Sequence, residues 1–167
     1  TGMVTSMLGA DIDTTAADDS GTASGFVNIT ADTGVNLAGN ISTDGADHSI
    51  AAATASAAGQ VDITTTDGPI SVTAIDASGG DATGGGGSTG GAGAAVTIAA
   101  ADAGADETHN VDLNGAITTA GGAGDTLGAG ADVLVTGDED VTVAAPITSG
   151  GGNIGITGTN GNVAINQ

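Results

Sequence analysis

The sequence predicts an all-β chain that folds as a right-handed, three-sided parallel β-helix, a β-solenoid of about five to six coils in one domain spanning residues 1–167. Short runs with apolar residues at alternate positions recur along the chain, and they come in sets of three separated by turns. The 167 residues include 32 glycines but only 1% aromatic residues, which favours a thin core of small side chains.

The first two strands of each coil carry a pair of apolar residues, one residue apart. The first strands are predicted at Val27/Ile29, Val61/Ile63, Val96/Ile98, Val133/Val135 and Ile154/Ile156. The second strands follow after a turn, at Val35/Leu37, Ile70/Val72, Val111/Leu113, Val141/Val143 and Val163/Ile165.

A third strand enters four residues later in three coils, at Ile41, Ile117 and Ile147. In the second coil the candidate is Ile75, only three residues after Val72, so this corner departs from the pattern. Strands this short leave their backbone groups unpaired unless another coil lies above and below them, so the coils must stack.

Extra chain length is inserted mainly at one corner, between the third strand and the next first strand. The insertions are residues 42–60, 76–93 and 118–132, all rich in Gly, Ala, Ser and Thr. Such an edge often carries binding in solenoids, but tolerated surface variation produces the same pattern, so both interpretations stay open.

The charge excludes several classes of partner. The chain has 20 acidic residues and no Lys or Arg, a formal charge of −20. Nucleic acid and anionic membrane surfaces are poor partners because both are bound through Lys and Arg. Solvent cations must neutralise the carboxylates, which favours a salty or calcium-rich medium. There is no Cys, and no apolar run is long enough for membrane insertion.

Two acidic segments are candidate calcium sites. Residues 121–134, GGAGDTLGAGADVL, resemble two calcium-binding nonapeptide repeats, with Asp125 and Asp132 as ligands, although Leu127 and Leu134 are seven residues apart where that family has nine. Asp138, Glu139 and Asp140 share one tight turn and could chelate a hard cation. A Gly-rich loop and an exposed acidic turn are the alternative interpretations.

The two histidines are weaker candidates for metal binding. His109 and Glu107, in the segment ETHN, form a possible ligand pair, but two ligands alone do not make a site. His48 and His109 both fall in predicted loops, and we expect them to be solvated turn residues.

The coil sequences resemble those of a known group of surface proteins. Residues 25–45, GFVNITADTGVNLAGNISTDG, echoed by residues 111–124 and 141–158, resemble the coil repeats of filamentous haemagglutinin-like adhesins and related giant β-helical surface proteins of bacteria. The resemblance covers most of residues 4–165. It implies secretion, a place at the cell surface, and an adhesive or structural role, with a surface glycan or protein as a possible partner.

Catalysis and ice binding are less favoured alternatives. The β-helical pectin-cleaving lyases rely on Arg or Lys, which this chain lacks, and no Asp pair stands out for glycoside hydrolysis. Outward Thr residues do not form a regular T-x-T ladder along the coils. We therefore expect a non-enzymatic fibre, stalk or filament subunit without a certain cofactor, whose main partner is itself, through head-to-tail stacking or continuation of the same solenoid. A calcium-binding secreted adhesin module is the alternative.

Overall fold

A computed structural model describes residues 2–7, 9–103 and 109–166. In these residues it contains sixteen short strands and no helix. The strands are β1 (Val4–Thr5), β2 (Ile12–Asp13), β3 (Val27–Ala31), β4 (Val35–Asn36), β5 (Ile41–Ser42), β6 (Val61–Thr65), β7 (Ile70–Val72), β8 (Ile75–Asp76), β9 (Val96–Ala100), β10 (Val111–Leu113), β11 (Ile117–Thr118), β12 (Val133–Gly137), β13 (Val141–Val143), β14 (Ile147–Thr148), β15 (Ile154–Gly158) and β16 (Val163–Ile165).

The strands form three parallel sheets that make the three sides of a β-helix. Sheet 1 has the order β3-β6-β9-β12-β15, sheet 2 the order β1-β4-β7-β10-β13-β16, and sheet 3 the order β2-β5-β8-β11-β14. Each strand pairs with the strand three places along the chain, so every third strand completes a coil. The predicted three-sided parallel β-helix is confirmed. Coils 1 to 5 are numbered here from the sheet 1 strand that opens each of them: β3, β6, β9, β12 and β15.

Identical or similar apolar residues stack in register through the core. In sheet 3, Ile12, Ile41, Ile75, Ile117 and Ile147 lie one above another. Ile75 takes its place in this column although its spacing from Val72 is one residue short. In the middle coils these side chains are at most 2% exposed, and burial of each contributes about 1.5–3 kcal/mol. Along each strand, the residues that alternate with the inward ones point outward and are mostly polar.

The corner insertions are ordered and stack on one another. Residues 43–60, 77–95 and 119–132 form three layers, which we call the stacked flap. Isolated parallel bridges join Thr54 to Thr89, Thr89 to Thr126, and His48 to Ala82. The flap therefore extends the stacking of the coils beyond the three sheets.

A ladder of backbone hydrogen bonds runs through the stem of the flap, alternating between the outgoing and returning arms of successive layers. The bonds are Ser56 N to Ala46 O (3.1 Å), Gly80 N to Ser56 O (3.1 Å), Gly91 N to Gly80 O (2.9 Å), Gly122 N to Gly91 O (2.9 Å) and Gly128 N to Gly122 O (2.9 Å). A Cβ atom added at Gly80, Gly91, Gly122 or Gly128 would lie 1.8–2.1 Å from a carbonyl oxygen. Close approach of the backbones therefore requires glycine at these four positions.

Candidate functional site

Three acidic side chains stack at the corner between sheets 1 and 2. Asp67, Asp102 and Glu139 each follow the end of a sheet 1 strand by two residues, in coils 2, 3 and 4. Because β6, β9 and β12 pair in register, equivalent positions lie one above another, about 4.8 Å apart where pairing continues. The register of the sheet therefore creates this acidic column.

His109 lies among these three acids. It lies two residues before the start of β10 and is 1% exposed. Its Nε2 lies 3.0 Å from Asp67 Oδ1 and 3.7 Å from Asp102 Oδ1. Its backbone N–H donates to Glu139 Oε2 at 3.3 Å. The imidazole and its backbone thus contact acids from three successive coils.

The acids raise the pKa of His109 above its ordinary value. Burial alone would lower this pKa, but the hydrogen bond to Asp67 and the negative charges of Asp102, Asp67 and Glu139 outweigh it. The sequence has no Lys or Arg, so no such side chain can balance these carboxylates. In the absence of a bound cation, the arrangement favours a protonated imidazole.

The same side chains can also supply ligands to a metal ion. One ligand atom each from Asp67, Asp102 and His109 lies within 4.8 Å of the other two. Within the described residues, no other group of three His, Cys, Asp or Glu side chains meets this criterion. Two carboxylates and an imidazole are donors that suit Zn²⁺ and related divalent ions.

Of the acids that the sequence predicts as calcium ligands, Glu139 belongs to this cluster, and the carboxylates of the other four accept hydrogen bonds outside it. Asp125 accepts from the Gly87 backbone N–H at 2.7 Å. Between neighbouring coils, Asp132 accepts from Asn153 N at 2.7 Å, Asp138 from Asn160 Nδ2 at 3.1 Å, and Asp140 from Asn162 N at 2.7 Å. Calcium binding by these residues stays a prediction.

Hydrogen bonds of this kind recur and explain part of the high Asp content. Asp47 Oδ1 accepts from Asp81 N, and Asp81 Oδ1 accepts from Ala123 N, both at 2.7 Å. In each pair the carboxylate of one flap layer accepts from the backbone of the next. Such carboxylates satisfy backbone donors of the neighbouring layer.

The expectation that both histidines are solvated turn residues is wrong. His109 and His48 are 1% and 7% exposed. His48 is held in the stacked flap, where its Nδ1 lies 3.9 Å from Asp19 Oδ1 and neither ring nitrogen has a hydrogen-bond partner among the residues that the structure describes. Glu107, the predicted ligand partner of His109, lies outside the described residues.

Sequence reasoning missed Asp67 and Asp102. Neither belongs to a recognisable metal motif, and Asp67 is 42 residues from His109. The available signal was the coil register, since counting two residues past each sheet 1 strand places Asp67, Asp102 and Glu139 in one column.

Comparisons with protein-family models, with curated proteins and with solved structures give no match. In the part of the chain that the structure describes, no helix is long and apolar enough to cross a membrane.

Proposed function

We propose that this chain is a non-enzymatic structural module of an extracellular fibre or stalk, in which further coils, of a second copy or of the same solenoid, cover its open strand edges. The observation that carries the proposal is the exposure of core positions in the last coil. Ile154, Val163 and Ile165 occupy inward columns, yet they are 46%, 42% and 59% exposed. Their counterparts one coil earlier, Val133, Val141 and Val143, are at most 1% exposed.

Both ends of the coil stack present open strand edges. One end presents the edges of β14, β15 and β16, and the other those of β2, β3 and β1. The edge strands of sheet 3 have two residues at both ends, those of sheet 1 have five at both ends, and those of sheet 2 have three and two. A second copy that sets β1 on β16 would continue sheet 2 and cover Val163 and Ile165, while sheets 1 and 3, with five strands against six in sheet 2, would each keep one open strand position.

The net negative charge of the chain opposes this stacking and makes it depend on ionic strength. Each copy carries a formal charge of −20, so two copies repel each other at low ionic strength. Salt largely screens exposed charges that lie more than roughly 8 Å apart at physiological ionic strength, and so lowers the long-range repulsion between two copies. We therefore expect stacking to strengthen with salt, which suits an extracellular medium.

The resemblance to filamentous haemagglutinin-like adhesins supports a place at the cell surface and an adhesive role. We assign adhesion to the stacked flap, because it is ordered and carries exposed apolar residues such as Ile50 (56%) and Leu127 (74%). Its partner would be a surface glycan or protein.

Sedimentation velocity tests the stacking directly. With the purified chain at several concentrations in 10 mM and 500 mM NaCl, we expect species larger than the monomer that increase with both concentration and salt. A monomer of constant sedimentation coefficient under all conditions would refute self-stacking.

A further inference from the structure

We propose that Asp67, Asp102 and His109 bind a divalent transition-metal cation of the Zn²⁺ class, which ties coil 2 to the insertion of coil 3. The proposal goes beyond the structural role above and does not depend on stacking. It rests on the geometry of the three ligand atoms, the chemistry of the donors, and the charge around them.

The ligand atoms already have separations suited to a small ion. For a tetrahedral Zn²⁺ with bonds of about 2.0–2.1 Å, two ligand atoms lie roughly 3.3 Å apart. His109 Nε2 lies 3.0 Å from Asp67 Oδ1 and 3.7 Å from Asp102 Oδ1, on either side of this value. Small shifts of the two carboxylates would complete the geometry once the Nε2 proton has left to solvent.

The donor set selects the class of ion. Ca²⁺ and Mg²⁺ prefer shells made entirely of oxygen atoms, whereas an imidazole nitrogen with carboxylates suits Zn²⁺ and its neighbours in the first transition row. Three protein ligands leave a fourth position for water. The side chains of Asp67 and Asp102 are 37% and 33% exposed, so the ion has a path from solvent to the buried imidazole.

The charge at this corner is not balanced by the protein. Three acidic residues, Asp67, Asp102 and Glu139, act on a single imidazole, so even a protonated His109 offers one positive charge to three acids. No Lys or Arg exists in the sequence to compensate it. A divalent cation supplies the missing positive charge.

Glu139 positions the site from coil 4. Its carboxylate accepts the His109 backbone N–H at 3.3 Å and so fixes the start of the segment that leads into β10. Groups that orient a metal ligand in this way commonly change metal affinity by 10–100-fold when they are altered.

Isothermal titration of the full chain with ZnCl₂ tests the proposal, after treatment with EDTA and with 10 mM MgCl₂ present to occupy weak carboxylate sites. We expect one tight site per chain in the wild type, and binding at least 10-fold weaker in His109→Gln and in Asp67→Asn. The matched control is His48→Gln, which removes the other buried histidine. It should bind Zn²⁺ like the wild type.

Two further measurements separate ligation from misfolding. Circular dichroism shows whether each variant keeps the β-sheet spectrum, and Asp102→Asn, a change at a partly exposed side chain, gives a second loss-of-ligand variant if His109→Gln fails to fold. The ¹⁵N chemical shift of His109 Nε2 should move on addition of Zn²⁺, while the ring nitrogens of His48 should not. Absence of a 1:1 site in the wild type, unchanged affinity in folded His109→Gln or Asp102→Asn, or a shift at His48 alone would overturn the proposal.

Discussion

The glycine ladder in the stem of the stacked flap makes a sharp stability prediction at Gly91. A Cβ atom at this position would lie 1.9 Å from the Ser56 carbonyl oxygen, well inside van der Waals contact. The three atoms nearest to this Cβ position, Ser56 O, Ser56 C and Gly80 N, all belong to the backbone, so no side-chain rotation can relieve the overlap. Gly91→Ala must therefore displace one arm of the flap by more than 1 Å, on the order of the overlap itself.

The cost follows from what this displacement breaks. Gly91 N donates to Gly80 O and Gly91 O accepts from Gly122 N, each at 2.9 Å. Loss of these two hydrogen bonds removes a net stabilisation of about 1 kcal/mol each. Overpacking in a close-packed region adds a further cost of about 1–3 kcal/mol. We expect Gly91→Ala to lower the free energy of unfolding by about 3–5 kcal/mol in total.

Gly155→Ala is the matched control. A Cβ atom there meets only the end of a flexible side chain, Leu134 Cδ1, at 3.2 Å. Alanine in a strand should be neutral or stabilising by up to about 1 kcal/mol relative to glycine.

Urea unfolding followed by far-ultraviolet circular dichroism measures both variants, since the chain has no Trp or Tyr for fluorescence. Hydrogen exchange at the Gly122 amide detects opening confined to the flap. Two results would contradict this prediction. One is a free energy of unfolding of Gly91→Ala within 0.5 kcal/mol of the wild-type value together with a Gly122 amide that stays protected. The other is an equal loss of stability in both alanine variants.

Three other changes test the core, the charges and the hydrogen bonds between layers. Ile117→Ala should lower the free energy of unfolding in urea by about 2–5 kcal/mol, because its side chain is fully buried in the sheet 3 column. Asp44 has a raised pKa, chiefly because burial disfavours its charged form, against a lowering hydrogen bond from Ser78. A carboxyl whose folded pKa lies above its unfolded pKa destabilises the fold when ionised, and this penalty vanishes below the unfolded pKa. Asp44→Asn should therefore raise the melting temperature at pH 7 but not at pH 3, and an equal shift at both pH values would contradict this. Asp81→Ala should lower the stability by about 1 kcal/mol because it removes the acceptor of the Ala123 N–H, whereas Asp81→Asn keeps an oxygen acceptor and should retain most of that stability. Equal melting temperatures for the two variants would contradict a stabilising role for this hydrogen bond.

The strands could be predicted from sequence because stacking imposes a simple rule on each of them. Strands that lie between two other coils bury one face, so apolar residues must recur at alternate positions, as in Val61 and Ile63. The same rule placed Ile75 in its column despite its irregular spacing, since no other residue of that corner offers a large apolar side chain.

The flap and the His109 cluster could not be predicted, for two physical reasons. Backbone hydrogen bonds between glycines leave no side-chain pattern, so a stem built from Gly80, Gly91 and Gly122 has the sequence of a loop. The His109 cluster depends on a contact between His109 and Asp67 of the preceding coil, which are 42 positions apart in the sequence. Coil register explains the column of acids, but nothing in the sequence indicates that the imidazole returns to it.

End-to-end growth of the solenoid is tested most directly by blocking one end. Ile165 points inward on the outermost strand of sheet 2 and is 59% exposed, while its neighbour Ala164 points outward on the same strand. In negative-stain electron microscopy at 500 mM NaCl, we predict fibres for the wild type and for Ala164→Lys. Ile165→Lys should give only short isolated particles, because an inward charge at a sheet edge prevents pairing. Fibres of equal length in both lysine variants, or no fibres in the wild type, would contradict stacking through the coil ends.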